Sequence, residues 1–342
     1  MNSRERILAA LNHRAPDRVP RFEIWIDALW KELGQGDPVS SSVNQGQDCL
    51  MMPTRAQLGD AAEKDGIDEW GRIWCRGTYA GGVVDTEDDI RRFTPPLAAA
   101  GRLFDGGRIA AVRSLYPEHA LIYGSHIGPF TATYLSMGFD RFFLRLADDM
   151  KFVEKLMALR TEWCLSVFEE AVRRGAEVLV LGDDAAHKDG PMISPRLWRE
   201  LVLPHHQRIV REAKVPVIWH SDGNIQALLP MAVEAGFAGV HGLDPSAGLD
   251  LGRIRNQFGS QLALIGNFDV RLLCGSDLAA VRSEVARCYE QGDGGGGYMI
   301  STCNSIFEGM NPPAVKEMFR SQAELGGNGR GSLIPSIKEG KP

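Results

Sequence analysis

The sequence lacks the features of several protein classes. No lysine- and arginine-rich run occurs in its 342 residues, and the formal net charge is −6, so the positive surface of a DNA or RNA binder is missing. No apolar run is long enough to span a bilayer, and the charged N-terminus, Met1 to Arg6, has no signal-peptide core. We therefore expect a cytoplasmic protein that binds neither nucleic acid nor membranes.

Paired cysteines and nucleotide-binding glycine motifs are also missing. The six cysteines are scattered and form no Cys-x-x-Cys pair, which in a cytosolic chain predicts free thiols. No Gly-x-Gly-x-x-Gly follows a predicted strand, and there is no P-loop. These absences disfavour disulfide scaffolds and nucleotide-binding folds.

The sequence does contain a regular alternation of short apolar strands with helices. Roughly eight such strands predict an α/β protein, a distorted (β/α)8 TIM barrel, with an open doubly wound sheet as the alternative. The aromatic residues between positions 68 and 84 predict an early β-hairpin insertion, and the first helix forms an N-terminal extension. We expect a single domain over residues 1–326 and a disordered tail over residues 327–342.

The most informative segment is the strand from Pro216 to Trp219, which ends in His220-Ser221-Asp222-Gly223. A strand covered on both faces carries no polar residue until it reaches the edge of the sheet. The carboxyl ends of barrel strands are where enzymes of this class place their chemistry. His220 and Asp222 together therefore predict a functional site.

Other polar residues are predicted to follow strands and so to meet at the same mouth. They are Asp183, Asp184, His187, Asp244, Asn267, Asp269, Cys303 and Asn304, with His126 after an earlier strand. Some of them could instead cap the helices that follow. The neighbouring pair His205-His206 is expected on an exposed helix surface.

Two chemistries fit this set of residues. His220, Asp222, Asp244 and Cys303 could bind zinc, which accepts nitrogen, oxygen and sulfur ligands. Alternatively, Asp183 or Asp184 could act as a general acid without a metal. In either case His187, His126, Asn267, Asp269 and Asn304 could contact substrate. Trp25 and the hairpin aromatics would either line a pocket for an aromatic ring or belong to the core.

Several segments together resemble the uroporphyrinogen decarboxylase superfamily, over about residues 3 to 326. The matching segments are Arg4–Asn12 with Pro16–Pro20, Asp68–Gly71, Gly182–Asp184, Gly190–Pro195, His220–Asn224, Gly266–Asp269 and Gly296–Tyr298. The resemblance implies a distorted (β/α)8 barrel with its active cleft at the carboxyl ends of the strands. It is greater to the corrinoid-linked methyltransferase branch than to the true decarboxylases.

The departures from each branch are specific. True decarboxylases carry a Met-Arg-Gln-Ala-Gly-Arg segment after the first strand, whereas this chain has no arginine between Glu23 and Trp30. The methyltransferase branch holds zinc with His-x-Cys, an acidic residue and a late cysteine. His220 matches the histidine, Asp222 replaces the first cysteine, Asp244 matches the acidic residue, and Cys303 falls one position before the late cysteine.

The resemblance thus implies transfer of a methyl group from a small, methoxylated aromatic substrate to a corrinoid held by a separate partner protein. Such an O-demethylation would be assisted by zinc, by a harder metal ion or by an acid at the His-x-Asp site. Family members often pair, which implies a homodimer. A carboxy-lyase acting on a carboxylated substrate and a non-catalytic binder of a tetrapyrrole or corrinoid are the alternatives.

Overall fold

The structure is a computed structural model. It describes residues 1–24, 38–55, 65–125, 128–307 and 309–327. Two predicted substrate contacts, Trp25 and His126, lie outside the described residues, as does the predicted tail beyond residue 327.

Two kinds of β-structure are present. The strands in chain order are β1 Cys49–Met51, β2 Gly66–Ile67, β3 Arg72–Cys75, β4 Thr78–Gly82, β5 Ala120–Ser125, β6 Val178–Gly182, β7 Ala186–His187, β8 Gly190–Pro191, β9 Val217–Ser221, β10 Gly239–Gly242, β11 Ala263–Ile265 and β12 Tyr298–Met299. Seven of them form one parallel sheet in the order β1-β5-β6-β9-β10-β11-β12. Strands β2, β3 and β4 form a separate antiparallel sheet, which confirms the predicted hairpin insertion.

Helices surround the parallel sheet. They are α1 Ser3–Leu11, α2 Pro38–Asn44, α3 Glu87–Arg92, α4 Gly106–Leu115, α5 Pro129–Met137, α6 Phe139–Asp148, α7 Met150–Arg173, α8 Pro195–Leu201, α9 Leu203–Glu212, α10 Leu229–Ala235, α11 Leu251–Phe258, α12 Leu278–Gly292 and α13 Pro312–Gly327. Every residue of β6 and β9 is buried, as expected for parallel strands covered on both faces. None of the described helices is both long enough and apolar enough to cross a membrane.

Residues 21–24 close the sheet into a distorted barrel. Arg21 forms a parallel bridge with Ile300, just past β12, and the Phe22 N–H donates to the Ile300 carbonyl at 2.9 Å. On the other side, the Asp48 N–H donates to the Arg21 carbonyl at 3.0 Å, immediately before β1. The segment therefore occupies the eighth position of the barrel, which confirms the predicted fold class.

The seam beside β1 is held by the carboxylate of Asp48, whose side chain is fully buried. It pairs with Arg6 at 2.6 Å and with Arg18 at 2.8 Å, and it accepts the Arg21 N–H at 3.0 Å. One buried carboxylate thus ties the N-terminal helix to the closing segment.

We predict that Asp48→Asn destabilises the fold by about 3 kcal/mol or more, because the neutral amide removes the charge that balances Arg18 and leaves Arg6 with Asp17 as its carboxylate partner. Urea denaturation followed by circular dichroism measures this change. Asp88→Asn is the control, since the side chain of Asp88 is 85% exposed and such surface changes stay within about 0.5 kcal/mol. Equal effects of the two substitutions would refute this account of the seam.

Candidate functional site

His220 lies near the carboxyl end of β9, where the sheet opens toward the mouth of the barrel. Its side chain is 2% exposed. Residue Gly182 of β6 pairs with it, so that Asp184 follows at the same edge. The imidazole Nε2 faces carboxylate oxygens of Asp222 at 3.6 Å and of Asp184 at 4.0 Å. Two neighbouring strands thus bring one histidine and two carboxylates together.

Hydrogen bonds connect Asp222 to Asp184 and to Asn304, which follows the last strand. The Asp222 N–H donates to Asp184 Oδ1 at 3.0 Å, and Asn304 Nδ2 donates to Asp222 Oδ2 at 2.8 Å. Partial burial and the nearby charge of Asp184 raise the pKa of Asp222 to about 7. The next residue, Gly223, has φ 78°, and a Cβ at this position would lie 2.5 Å from the carbonyl oxygen of Ala186. The site therefore requires glycine here.

Asp184, His220 and Asp222 can hold a metal ion. One ligand atom from each lies within 4.8 Å of the others. One imidazole and two carboxylates suit zinc or a harder divalent ion. Because the charge of Asp184 already favours the protonated form of Asp222, a bound cation would relieve the same repulsion. The residues therefore fit a metal.

The structure places the other two predicted metal ligands beside this group of three. Asp244 accepts hydrogen bonds from the backbone N–H of Ser246 at 2.7 Å and from its hydroxyl at 2.8 Å. Cys303 Sγ lies 4.0 Å from Asp244 Oδ1, and burial raises the pKa of its thiol well above the usual range. The third residue of the group is therefore Asp184, which was predicted as an acid, and not Asp244 or Cys303, which were predicted as metal ligands.

Asp183 has different surroundings from Asp184. Its carboxylate is fully buried, lies 2.7 Å from His206 Nε2 and accepts the Thr131 N–H at 2.7 Å, in the first turn of α5. The prediction that His206 lies on an exposed surface is wrong, because its side chain is 2% exposed and packs edge-on against Trp219. This pair joins α9 and α5 to the end of β6.

The side chains of the remaining predicted contacts are not among the three clustered ligands. Asn267 is fully buried and donates to the backbone carbonyl of Leu243 at 2.9 Å while accepting from Arg287 at 3.0 Å. Asp269 forms an ion pair with Arg271. His187 is exposed on the β7–β8 hairpin.

One of the hairpin aromatic residues considered for a pocket belongs to the core. Trp70, in the hairpin insertion, is 4% exposed. The Trp70 ring lies 5.1 Å from that of Trp163 and 4.7 Å from the guanidinium of Arg160. Trp74 and Tyr79 contact each other in the insertion.

A buried polar chain leads from His220 to Glu23. His220 Nδ1 lies 2.8 Å from His241 Nδ1, and His241 Nε2 lies 3.1 Å from Ser301 Oγ. Ser301 Oγ in turn donates to Glu23 Oε2 at 3.2 Å. Burial raises the pKa of Glu23 to about 7, against the opposing effect of its hydrogen bonds.

Sequence reasoning missed Glu23, His241 and Ser301 as parts of the site. The sequence around Glu23 and around His241 could have indicated that these two residues are buried. Glu23 stands between the buried apolar residues Phe22 and Ile24, and His241 follows Val240 inside a strand. A polar residue at such a position needs a partner inside the protein.

We predict that Glu23 makes the protein less stable as pH rises. Its folded pKa of about 7 exceeds the ordinary value of 4.5, so its stabilising contribution is complete below pH 4.5 and is lost as the pH passes through 7. Relative to Glu23→Gln, the wild type should lose roughly 2–3 kcal/mol between about pH 5 and pH 8. Urea denaturation of both proteins across this range measures it, and a constant difference would contradict the assignment.

Comparison with known proteins places this barrel in a family. A family described as "Uroporphyrinogen decarboxylase (URO-D)" matches residues 82–325. A uroporphyrinogen decarboxylase from Thioalkalivibrio sulfidiphilus is 28% identical over 247 residues, which cover 68% of this chain and 64% of that protein. A methylated-thiol–coenzyme M methyltransferase from Methanosarcina mazei is 25% identical over 164 residues, which cover 48% of this chain and 43% of that protein. The chain thus spans less than two thirds of either relative.

A solved structure described as a methyltransferase from Methanosarcina mazei has the same fold. It superimposes with a TM-score of 0.72 at 18% sequence identity, and the match covers 95% of this chain and 99% of that one. The family match extends over most of the chain, including the strands that carry Asp184, His220 and Asp222. The chain therefore belongs to the uroporphyrinogen decarboxylase (URO-D) family.

Proposed function

We propose that this protein is a methyltransferase that removes the methyl group of a small methoxylated compound and passes it to a corrinoid on a separate partner protein. The observation that carries the proposal is the group of Asp184, His220 and Asp222 at the mouth of the barrel. An aromatic methyl ether is the substrate class that we favour. The corrinoid partner is part of the proposal.

The acidic character of the mouth favours this reaction over decarboxylation of a polycarboxylate. In addition to burial, the negative charges of Asp184 and Asp244 both raise the pKa of Asp222. A substrate with many carboxylates needs cationic partners, and Arg271, near this mouth, is already paired with Asp269. A neutral ether avoids this repulsion.

The ligand set also favours an oxygen leaving group over a thiol. A methyltransferase relative is named for methylated thiols, and the resemblance described above assigns cysteine ligands to that branch. In this chain Asp222 takes the first cysteine position, and the buried Cys303 thiol holds its proton because burial raises its pKa. Carboxylate ligands suit a harder ion and an oxygen-bearing substrate.

The methyl–oxygen bond would break with its electron pair staying on oxygen, and a reduced corrinoid on the partner protein would supply the electron pair for its new bond to the methyl carbon. Asp184, His220 and Asp222 would hold a divalent ion that supplies Lewis acidity to the ether oxygen. Asn304 orients Asp222 through its amide, and His220 is fixed on its other side by His241. The Asp222 side chain is 44% exposed, so substrate can approach and the leaving oxygen can take a proton from solvent.

A carboxy-lyase is the second candidate, since a relative whose match covers 68% of this chain is named uroporphyrinogen decarboxylase. In that reaction Asp222, with a pKa near 7, would exchange protons with the substrate. This candidate requires turnover of a porphyrinogen without added metal. Tight tetrapyrrole binding without turnover would instead indicate a non-catalytic binder.

We predict that purified wild-type protein supplied with zinc retains about one equivalent of metal, and that His220→Ala and Asp222→Asn each lose it, because each removes one of three ligands. Elemental analysis after gel filtration measures the retained metal. Asp184→Asn and Asp244→Asn separate two ligand sets: the geometry requires loss with the first and retention with the second. Retention in all variants, or no metal in the wild type, would refute the metal site.

We predict that the metal-loaded protein transfers methyl groups from methoxybenzoates to free reduced cobalamin, and that Asp222→Asn reduces the rate at least about 100-fold. Absorbance of the methylated corrinoid follows the reaction. Uroporphyrinogen offered in parallel should release no carbon dioxide. Decarboxylation together with absence of methyl transfer would favour the lyase.

A further inference from the structure

The chain from His220 through His241 and Ser301 to Glu23 is buried throughout. The four side chains are between 0% and 4% exposed. Consecutive polar atoms are 2.8, 3.1 and 3.2 Å apart. Because solvent does not reach these atoms, each hydrogen bond must have one donor and one acceptor from within the chain.

The Glu23 end determines the direction of these hydrogen bonds. Its carboxylate accepts the Thr302 N–H at 2.8 Å and the Ser301 hydroxyl at 3.2 Å. Its Oε2 also lies 2.7 Å from the Thr302 hydroxyl, which contacts the Asn304 carbonyl oxygen as well. These donors favour the ionised form against the effect of burial, and above its pKa of about 7 the carboxylate of Glu23 can only accept. Ser301 therefore uses its single proton toward Glu23.

The direction of this hydrogen bond determines which ring nitrogens of His241 and His220 carry protons. Having donated to Glu23, Ser301 Oγ can only accept from His241, so the proton of His241 is on Nε2. Neutral His241 then offers the Nδ1 lone pair, and His220 must donate to it from its own Nδ1. The nitrogen of His220 that faces Asp184 and Asp222 is Nε2.

We infer that Glu23, acting through Ser301 and His241, is the positioning residue that keeps the proton of His220 on Nδ1 and presents Nε2 to the Asp184–Asp222 side. This inference deepens the proposed function and rests on it where the metal is concerned. A histidine that binds a metal usually donates its other ring N–H to a partner that fixes its orientation. Here that partner is a second histidine, itself fixed by a carboxylate through a hydroxyl.

The test is the protonation pattern of His241 in metal-free protein, read by two-bond proton–nitrogen NMR of histidine-labelled samples. We use about pH 8, above the pKa of Glu23. The wild type should show His241 with Nε2 protonated and Nδ1 unprotonated. Glu23→Gln can donate to Ser301 from its amide and so reverse the chain, which should shift or mix the His241 tautomers. An unchanged tautomer in this variant would overturn the inference.

Two further variants protect the test against a loss of folding. Ser301→Ala removes the link but keeps Glu23, and should also mix the His241 tautomers. Thr302→Val is the matched control, because it removes a hydroxyl that contacts Glu23 and the Asn304 carbonyl oxygen, neither contact being a link of the chain, and should leave the tautomer unchanged. Circular dichroism confirms folding, and a change in the control as large as in Ser301→Ala would indicate a merely structural role.

A zinc titration extends the test to the metal. Glu23→Gln and Ser301→Ala should weaken zinc binding by about 10- to 100-fold, as outer partners of metal ligands do elsewhere, while Thr302→Val stays within about threefold. If wild-type protein binds no zinc, the metal proposal fails while the tautomer measurement still decides this inference. If zinc binds equally to all four proteins and the tautomer is constant, the inference alone fails.

Discussion

Closure of the barrel by residues 21–24 is the constraint on which the site depends. The segment pairs with Ile300 on one side and with Asp48 on the other, which brings Glu23 against Ser301 although 278 positions separate them. Since Glu23 begins the hydrogen-bonded chain to His220, the seam of the barrel and the candidate metal group form one connected structure. A loss of register at the seam would therefore reach the site.

The buried histidines His206 and His220 have different roles because their partners differ. His206 meets the fully buried carboxylate of Asp183 and a layer of aromatic rings, and this pair joins helices to the sheet. His220 meets a second histidine on one side and partly exposed carboxylates on the other. Only the second arrangement leaves ligand atoms near the solvent-facing mouth, where a substrate can arrive.

Membership of the URO-D family establishes the barrel but leaves the reaction to the residues at its mouth. The named relatives include both a decarboxylase and a methyltransferase. This chain has no arginine between Glu23 and Trp30, where the resemblance implies arginines in the decarboxylases, and it has Asp222 at the position where the resemblance implies a cysteine in the methyltransferases. The charge and hardness of the histidine and carboxylate ligands are the basis of the proposed ether demethylation.

The sequence by itself determined the alternation of strands and helices, the hairpin insertion and the strand-end position of His220 and Asp222, because these follow from local periodicity and from short motifs. It did not determine that residues 38–44 form helix α2, whose Val39 is buried in the core. Only the tertiary structure selected Asp184 rather than Asp244 or Cys303 as the neighbour of His220, and buried His206. The register of the parallel strands and the closure of the barrel decide such contacts, and both depend on packing between residues far apart in the chain.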